Sequence, residues 1–166
     1  SDFEDHKPIR RMFQAAFKND AMRTYADMMN PVMEKNIKSF AAQKDFVFFP
    51  PVKGSISSGF DAKEKHFAVD IVVPTNTPVK STSDGRVLFT SWTSDAGYVI
   101  IIDHGDELIS VYKHNSSLTK TQGDFVKSRE VIAISGAGGE LSTGPHLHFE
   151  LWSNGIPLNP TNFIDF

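Results

Sequence analysis

The chain has no cysteine, so no disulfide stabilises its fold and no thiolate is available to bind a metal. Any metal site would have to be built from histidine and carboxylate side chains. No segment approaches the roughly 18 consecutive apolar residues of a transmembrane helix, so we expect no membrane span in this chain. Lysine and arginine form no basic run and the formal net charge is −3, which gives no reason to expect a nucleic-acid partner.

Glycine is missing from one part of the chain, and this absence divides the sequence in two. Residues 1–45 contain no glycine and few β-branched residues, whereas all 11 glycines lie in residues 46–166. Apolar residues of the first part recur at helical spacing: Ile9, Met12, Phe13, Ala16 and Phe17. We therefore expect an N-terminal helical segment over 1–45, serving as a linker or a regulatory arm, and one domain over 46–166.

The second part has the composition of a β domain. Short runs rich in Val, Ile, Phe and Tyr alternate with turn signals such as Asp84-Gly85 and Gly123-Asp124. These runs predict five strands: Arg86–Trp92, Tyr98–Asp103, Leu108–Lys113, Val131–Ser135 and His146–Trp152. Many short strands with few helices indicate a mainly β fold built on an antiparallel sheet.

Histidines are few, but most of them follow a spacing that suits a metal site. His66 precedes Asp70 by four residues, and His146 and His148 lie two residues apart. Residues two apart on a strand point to the same face, so His146 and His148 should project side by side. Asp70 opens a β-branched run that ends at Pro74, which favours a loop leading into a strand over a helix for His66 and Asp70.

His114 follows another predicted strand and completes the parts of a hydrolytic site. Two neutral imidazoles and one carboxylate can hold a divalent ion and leave a fourth position for water. Two further imidazoles then remain to move protons. A lone histidine is more often a hydrogen-bonded structural residue, so we assign no catalytic role to His104, which begins a turn.

The chain from Phe49 to Pro160 resembles the M23 metallopeptidases, the lysostaphin/LytM-type peptidoglycan endopeptidases. Five stretches occur in the family's order: His66-x-x-x-Asp70, Pro78–Val87, Tyr112-Lys113-His114, Gly144–Glu150 and Gly155–Pro160. The resemblance implies an antiparallel β-sheet catalytic domain of M23/LytM type.

The resemblance also implies a role for each site residue. His66, Asp70 and His148 would bind one Zn²⁺ ion, and His114 and His146 would be the catalytic imidazoles. The implied activity is that of a zinc endopeptidase, which hydrolyses peptide bonds in bacterial peptidoglycan cross-links or stem peptides. Peptidoglycan peptides would be the partners, and the implied location is the cell envelope, periplasmic or secreted.

Four positions depart from the family's usual residues. Ala68 and Arg129 stand where glycine is common, and Lys113 and Asn115 flank His114 where small and apolar residues are common. None of these departures removes a ligand or a proton carrier. They affect the expected shape of the substrate subsites rather than the chemistry.

The sequence leaves several alternatives open. Two histidines and one carboxylate also form the iron site of non-haem oxygenases, although those enzymes usually place the first histidine and the carboxylate two residues apart. A cupin-type metal barrel also uses His-x-His on a strand. Glu150 is either a residue that orients a metal ligand or a structural carboxylate.

A non-catalytic or gated module, which binds the cell wall or regulates other wall hydrolases, is the alternative function. The presence of all three expected ligands and both proton carriers favours the enzyme. The chain begins Ser1-Asp2 without a methionine. We therefore expect a processed piece from which an upstream signal or anchor was removed.

Overall fold

The computed structural model describes residues 46–137 and 144–166, and the predicted helical segment over 1–45 lies outside these residues. The described residues form ten strands and one short 3-10 helix at Pro160–Asn162. The strands are β1 (Ser55–Ser58), β2 (Val69–Val72), β3 (Pro78–Lys80), β4 (Gly85–Thr93), β5 (Gly97–Asp103), β6 (Leu108–Leu118), β7 (Phe125–Val126), β8 (Val131–Ser135), β9 (His146–Ser153) and β10 (Ile156–Leu158).

The strands form one antiparallel sheet whose main path runs β1-β2-β9-β6-β5-β4-β7. Strand β10 pairs with β9, and β3 pairs with β8. Strand β8 also pairs with the C-terminal end of β6. The prediction of a mainly antiparallel β fold is confirmed. Within the described part of the chain, no helix has the length and hydropathy needed to cross a membrane.

All five predicted strands are present, with ends close to those expected, except that β6 continues beyond Lys113 to Leu118. Sequence reasoning missed the short strands β1, β3, β7 and β10. Strand β1 shows why, since its four residues are all exposed and carry no apolar alternation. Its pairing comes from its neighbour β2 rather than from a pattern of its own.

The two faces of the sheet carry separate apolar clusters. Leu147, Phe149 and Leu151 alternate along β9 into the larger cluster, where they are fully buried. Trp152, on the opposite face of β9, belongs to a smaller cluster with Phe67. The smaller cluster lies on the face that also bears His146 and His148, so it supports the candidate site from beside it.

A chain of polar groups connects His104 to the interior of the domain. His104 Nδ1 lies 2.7 Å from the Asp84 carbonyl oxygen, and its Nε2 lies 2.7 Å from Ser110 Oγ. Ser110 Oγ lies 2.9 Å from the Tyr112 hydroxyl, which also accepts the Thr82 backbone N–H. Burial lowers the pKa of His104 and raises the pKa of Tyr112 to about 12, so both groups are neutral at pH 7.

We predict that His104 makes the stability of the domain depend on pH. The unfolded chain has the ordinary histidine pKa of 6.5 and the folded chain a lower one. Between the two pKa values the unfolded state therefore binds more protons than the folded state. As the pH is lowered from 6.5 to the folded pKa, the free energy of unfolding decreases. Denaturant unfolding from pH 7.5 to 5 should give a shallower decline for His104→Gln than for the unmodified chain. Parallel declines would contradict the prediction.

Candidate metal centre

The candidate site lies where strands β2, β9 and β6 run side by side. Asp70 on β2 is the direct cross-strand partner of His148 on β9, and His148 is in turn the partner of Lys113 on β6. Directly opposite residues of an antiparallel pair share a face of the sheet. The sheet register alone therefore brings the Asp70 carboxylate and the His148 imidazole together.

His66 reaches the same place from the loop that precedes β2. A two-way backbone bridge joins Asp61 and His66, with both N···O distances at 2.8 Å. Phe67 anchors this loop, because its ring packs 6.0 Å from Phe60 and 6.1 Å from Trp152, measured between ring centroids. The prediction of a loop leading into a strand is confirmed for His66 and Asp70.

Three ligand atoms converge at this point. His66 Nε2 lies 3.1 Å from Asp70 Oδ2, and His148 Nδ1 lies 2.9 Å from Asp70 Oδ1. Suitable ligand atoms of the three residues all lie within 4.8 Å of one another. Zinc bonds of about 2.0–2.1 Å in a tetrahedron place neighbouring ligand atoms about 3.3 Å apart. The spacing of this group therefore fits a zinc ion with little adjustment.

Hydrogen bonds on the side of His66 and His148 away from Asp70 leave the other nitrogen of each imidazole for a metal. His66 Nδ1 lies 2.6 Å from the Gly59 carbonyl oxygen, and His148 Nε2 lies 2.8 Å from Glu150 Oε1. Both oxygens can only accept, so both outer nitrogens carry the proton. The inner nitrogens, His66 Nε2 and His148 Nδ1, hydrogen-bond to Asp70 when they also carry a proton. A bound cation would replace these inner protons and take the two lone pairs, so the donor set fits a metal ion.

The ionisation of Asp70 also suits a metal ligand. Burial by itself would raise the pKa of Asp70, but hydrogen bonds from His148 and His66 outweigh it and hold this pKa far below its usual range. The hydrogen bond with Asp70 raises the pKa of His66 and exceeds the opposing effect of burial. Both shifts report the same convergence of a negative carboxylate on imidazole nitrogens.

His114 and His146 form a second pair beside these ligand atoms. Their ring centroids are 4.8 Å apart, and the His114 ring lies 5.8 Å from that of His148. His146 Nδ1 donates to the Gly144 carbonyl oxygen at 2.8 Å. Its Nε2 therefore faces the site, 4.0 Å from Asp70 Oδ1. This arrangement leaves a basic nitrogen facing the place where a metal would bind.

The backbone at His114 is bent in a way that sequence periodicity does not predict. Regular alternation would put Lys113 on the site face and His114 on the opposite face. His114 has a φ of 66°, in the left-handed region, and the pairing of β5 with β6 shifts register at this point. The bulge turns His114 onto the same face as Lys113. Its carbonyl accepts the Gly136 N–H, and its N–H donates to Ala96.

Gly136 must be a glycine for this bend to pack. A Cβ at Gly136 would lie 2.8 Å from the Ser116 Cβ and 3.0 Å from the Ser116 backbone nitrogen. The first distance is shorter than real Cβ atoms show and the second is very tight, so a side chain at Gly136 would push against Ser116 beside the His114 bulge.

The structure thus brings together all five residues predicted from the sequence: His66, Asp70, His114, His146 and His148. Two further residues contact this group. The sequence left the role of Glu150 open and gave no role to Lys113. Glu150 is buried and contacts His148, and Lys113 pairs with Glu150 at 2.7 Å. The alternation along β9 hinted at Glu150, because it lies two residues from His148, but no local pattern pointed to Lys113.

Known proteins resemble this chain in sequence and in fold. The family model described as Peptidase family M23 matches residues 64–160. An uncharacterized metalloprotease of Buchnera aphidicola is 34% identical over 155 residues, which cover 80% of this chain and 41% of the relative. The peptidoglycan DD-endopeptidase ShyB of Vibrio cholerae is 37% identical over 113 residues, covering 63% of this chain and 26% of the relative.

Solved structures agree. The crystal structure of a zinc-containing peptidase from Vibrio cholerae superimposes with a TM-score of 0.66 and 34% identity, covering 69% of this chain and 39% of that one. The present chain thus spans less than half the length of each of these three relatives. Because the family model covers more than half of the chain and includes the candidate site, the chain belongs to peptidase family M23.

Proposed function

We propose that this chain is a zinc-dependent endopeptidase that hydrolyses peptide bonds in bacterial peptidoglycan. The observation that carries the proposal is the convergence of His66, Asp70 and His148, whose ligand atoms all lie within 4.8 Å of one another. Family membership supports the peptidase chemistry. Relatives named peptidoglycan DD-endopeptidases support the substrate class and a place in the cell envelope, periplasmic or secreted.

In this proposal His66, Asp70 and His148 hold one Zn²⁺ ion. A bound zinc ion supplies Lewis-acid polarisation of the scissile carbonyl and lowers the pKa of water toward neutrality. The two histidines and one carboxylate leave a coordination position open for water, as in catalytic rather than structural zinc sites. The chemistry of an iron oxygenase would give no role to the adjacent imidazoles of His114 and His146.

His114 and His146 then act on protons. One imidazole takes a proton from the attacking water as the water oxygen bonds to the scissile carbonyl carbon. The same proton passes to the leaving amine nitrogen when the C–N bond breaks. The other imidazole donates a hydrogen bond to the carbonyl oxygen as negative charge develops on it. His146 Nε2 faces the site directly, which suits the role of base.

Loss of a metal ligand should abolish both zinc binding and cleavage. We expect His148→Ala and Asp70→Ala to lower the rate of peptidoglycan digestion by more than about 100-fold, since loss of outer partners alone typically costs 10–100-fold. Digestion of purified peptidoglycan with added zinc, followed by mass spectrometry of the fragments, measures the rate and names the bond cleaved. Thermal unfolding of each variant serves as the control for folding.

Substitution of the proposed proton carriers should separate chemistry from metal binding. We expect His114→Ala and His146→Ala to bind one zinc per chain, as the unmodified chain does, while kcat falls by about 10²–10⁴-fold. Metal content after dialysis and steady-state rates on a soluble cross-link peptide measure the two quantities. Loss of zinc together with activity would instead assign these histidines to the metal.

The alternative is a non-catalytic or gated module that binds the wall. Two results separate it from the enzyme. Retention of the zinc-loaded chain on insoluble peptidoglycan without release of fragments would support the module. Fragments that appear only after removal of residues 1–45 would support an enzyme that this segment covers.

A further inference from the structure

Glu150 is a buried carboxylate that receives three donors. Its side chain is 6% exposed. Oε1 lies 2.8 Å from His148 Nε2 and 2.7 Å from Lys113 Nζ, and Oε2 accepts the Trp152 indole N–H at 2.8 Å. Every donor approaches in the range of a strong hydrogen bond. A carboxylate this well satisfied is fixed in position, because any rotation would break at least one of the three contacts.

The contact with His148 determines which nitrogen that imidazole offers to the site. A carboxylate can only accept, so His148 Nε2 carries a proton toward Glu150. A metal that replaces the proton on Nδ1 would then take the lone pair that faces Asp70. Without this partner the imidazole could carry its proton on Nδ1, where it would block a metal. Among the described residues, Glu150 forms no hydrogen bond with Asp70 or His66, so its direct contact with the three candidate ligands is through His148.

Lys113 supplies the charge that makes the buried carboxylate tolerable. It stands on β6 directly opposite His148, and its side chain is only 15% exposed. A buried carboxylate without a counter-ion is strongly unfavourable.

We propose that Glu150 is a positioning residue that holds His148 as an Nδ1 metal ligand, and that Lys113 anchors and balances Glu150. The role rests on the proposed zinc site. The chain of contacts runs from Lys113 through Glu150 to His148, across strands β6 and β9. It fixes the direction of one ligand before any metal arrives.

Glu150→Gln is the variant that tests the proposal. A carboxamide offers one acceptor oxygen, whereas His148 and Trp152 donate to opposite oxygens of the carboxylate. The amide must leave one donor unsatisfied or force the His148 proton onto Nδ1. We expect the zinc dissociation constant, measured by competition with a chromophoric chelator, to rise about 10–100-fold. In the zinc-loaded protein, the ¹⁵N chemical shift of His148 Nε2 should show that the hydrogen bond to a carboxylate is lost.

Two further variants separate positioning from folding. Glu130→Gln breaks another lysine–glutamate pair, with Lys120 and away from the site, and should leave zinc affinity unchanged. The double variant Lys113→Met with Glu150→Gln removes both charges of the inner pair. We expect it to recover thermal stability relative to Glu150→Gln while its zinc affinity stays weakened.

Three outcomes would overturn the proposal. An unchanged zinc affinity together with an unchanged chemical shift of His148 Nε2 in Glu150→Gln would remove the positioning role. Zinc affinity that recovers together with stability in the double variant would reduce the effect to folding. Failure of the unmodified chain to bind zinc would overturn the metal site itself, and the positioning role with it, whereas normal binding with the first or second outcome would leave the proposed function standing.

Discussion

The structure of the site depends on one carboxylate placed between two imidazoles. Asp70 lies 3.1 Å from His66 Nε2 and 2.9 Å from His148 Nδ1, and the other nitrogen of each ring contacts an oxygen on its far side. Protons link the imidazoles to the carboxylate in these hydrogen bonds, and a bound metal ion would take their place. Either arrangement requires the fold to hold the three side chains together, and several of its features serve that purpose.

Each proposed ligand is fixed by a different part of the fold. The register of β2 against β9 fixes Asp70 opposite His148. The bridge to Asp61 and the packing of Phe67 on Trp152 hold the loop that carries His66. Trp152 also donates to Glu150, so the apolar cluster below the loop and the polar contacts of His148 share one residue. A rigid sheet thus presents a preformed arrangement, as a catalytic site on a scaffold requires.

The main strands and the five candidate residues could be predicted from the sequence, because they follow local periodicity or local motifs. The alternation along His146–Trp152 placed two histidines on one face and three apolar residues on the other, as the burial of Leu147 and Phe149 bears out. The motifs resembled those of the M23 family, and this resemblance assigned the five candidate residues to one site. The orientation of His114 was beyond this reasoning, because it depends on the left-handed backbone of His114 and on its contact with Gly136, just after β8. The pairing of Lys113 with Glu150 depends on strand register, which no local pattern specifies.

Arg129, where the resemblance to the family predicts a glycine, adopts a backbone conformation that suits glycine. Its φ is 66°, which glycine adopts without strain. Its guanidinium carbon lies 3.7 Å from the centre of the Phe49 ring, a contact that glycine could not make. The sequence alone showed the substitution but neither the strain nor the stacking.

The most direct test of the account is a crystal structure of the zinc-loaded chain with anomalous diffraction measured on both sides of the zinc absorption edge. The account predicts one zinc peak per chain, bound by His66 Nε2, Asp70 and His148 Nδ1, with His114 and His146 outside bonding distance. A peak at any other set of residues, or coordination of His148 through Nε2, would contradict it.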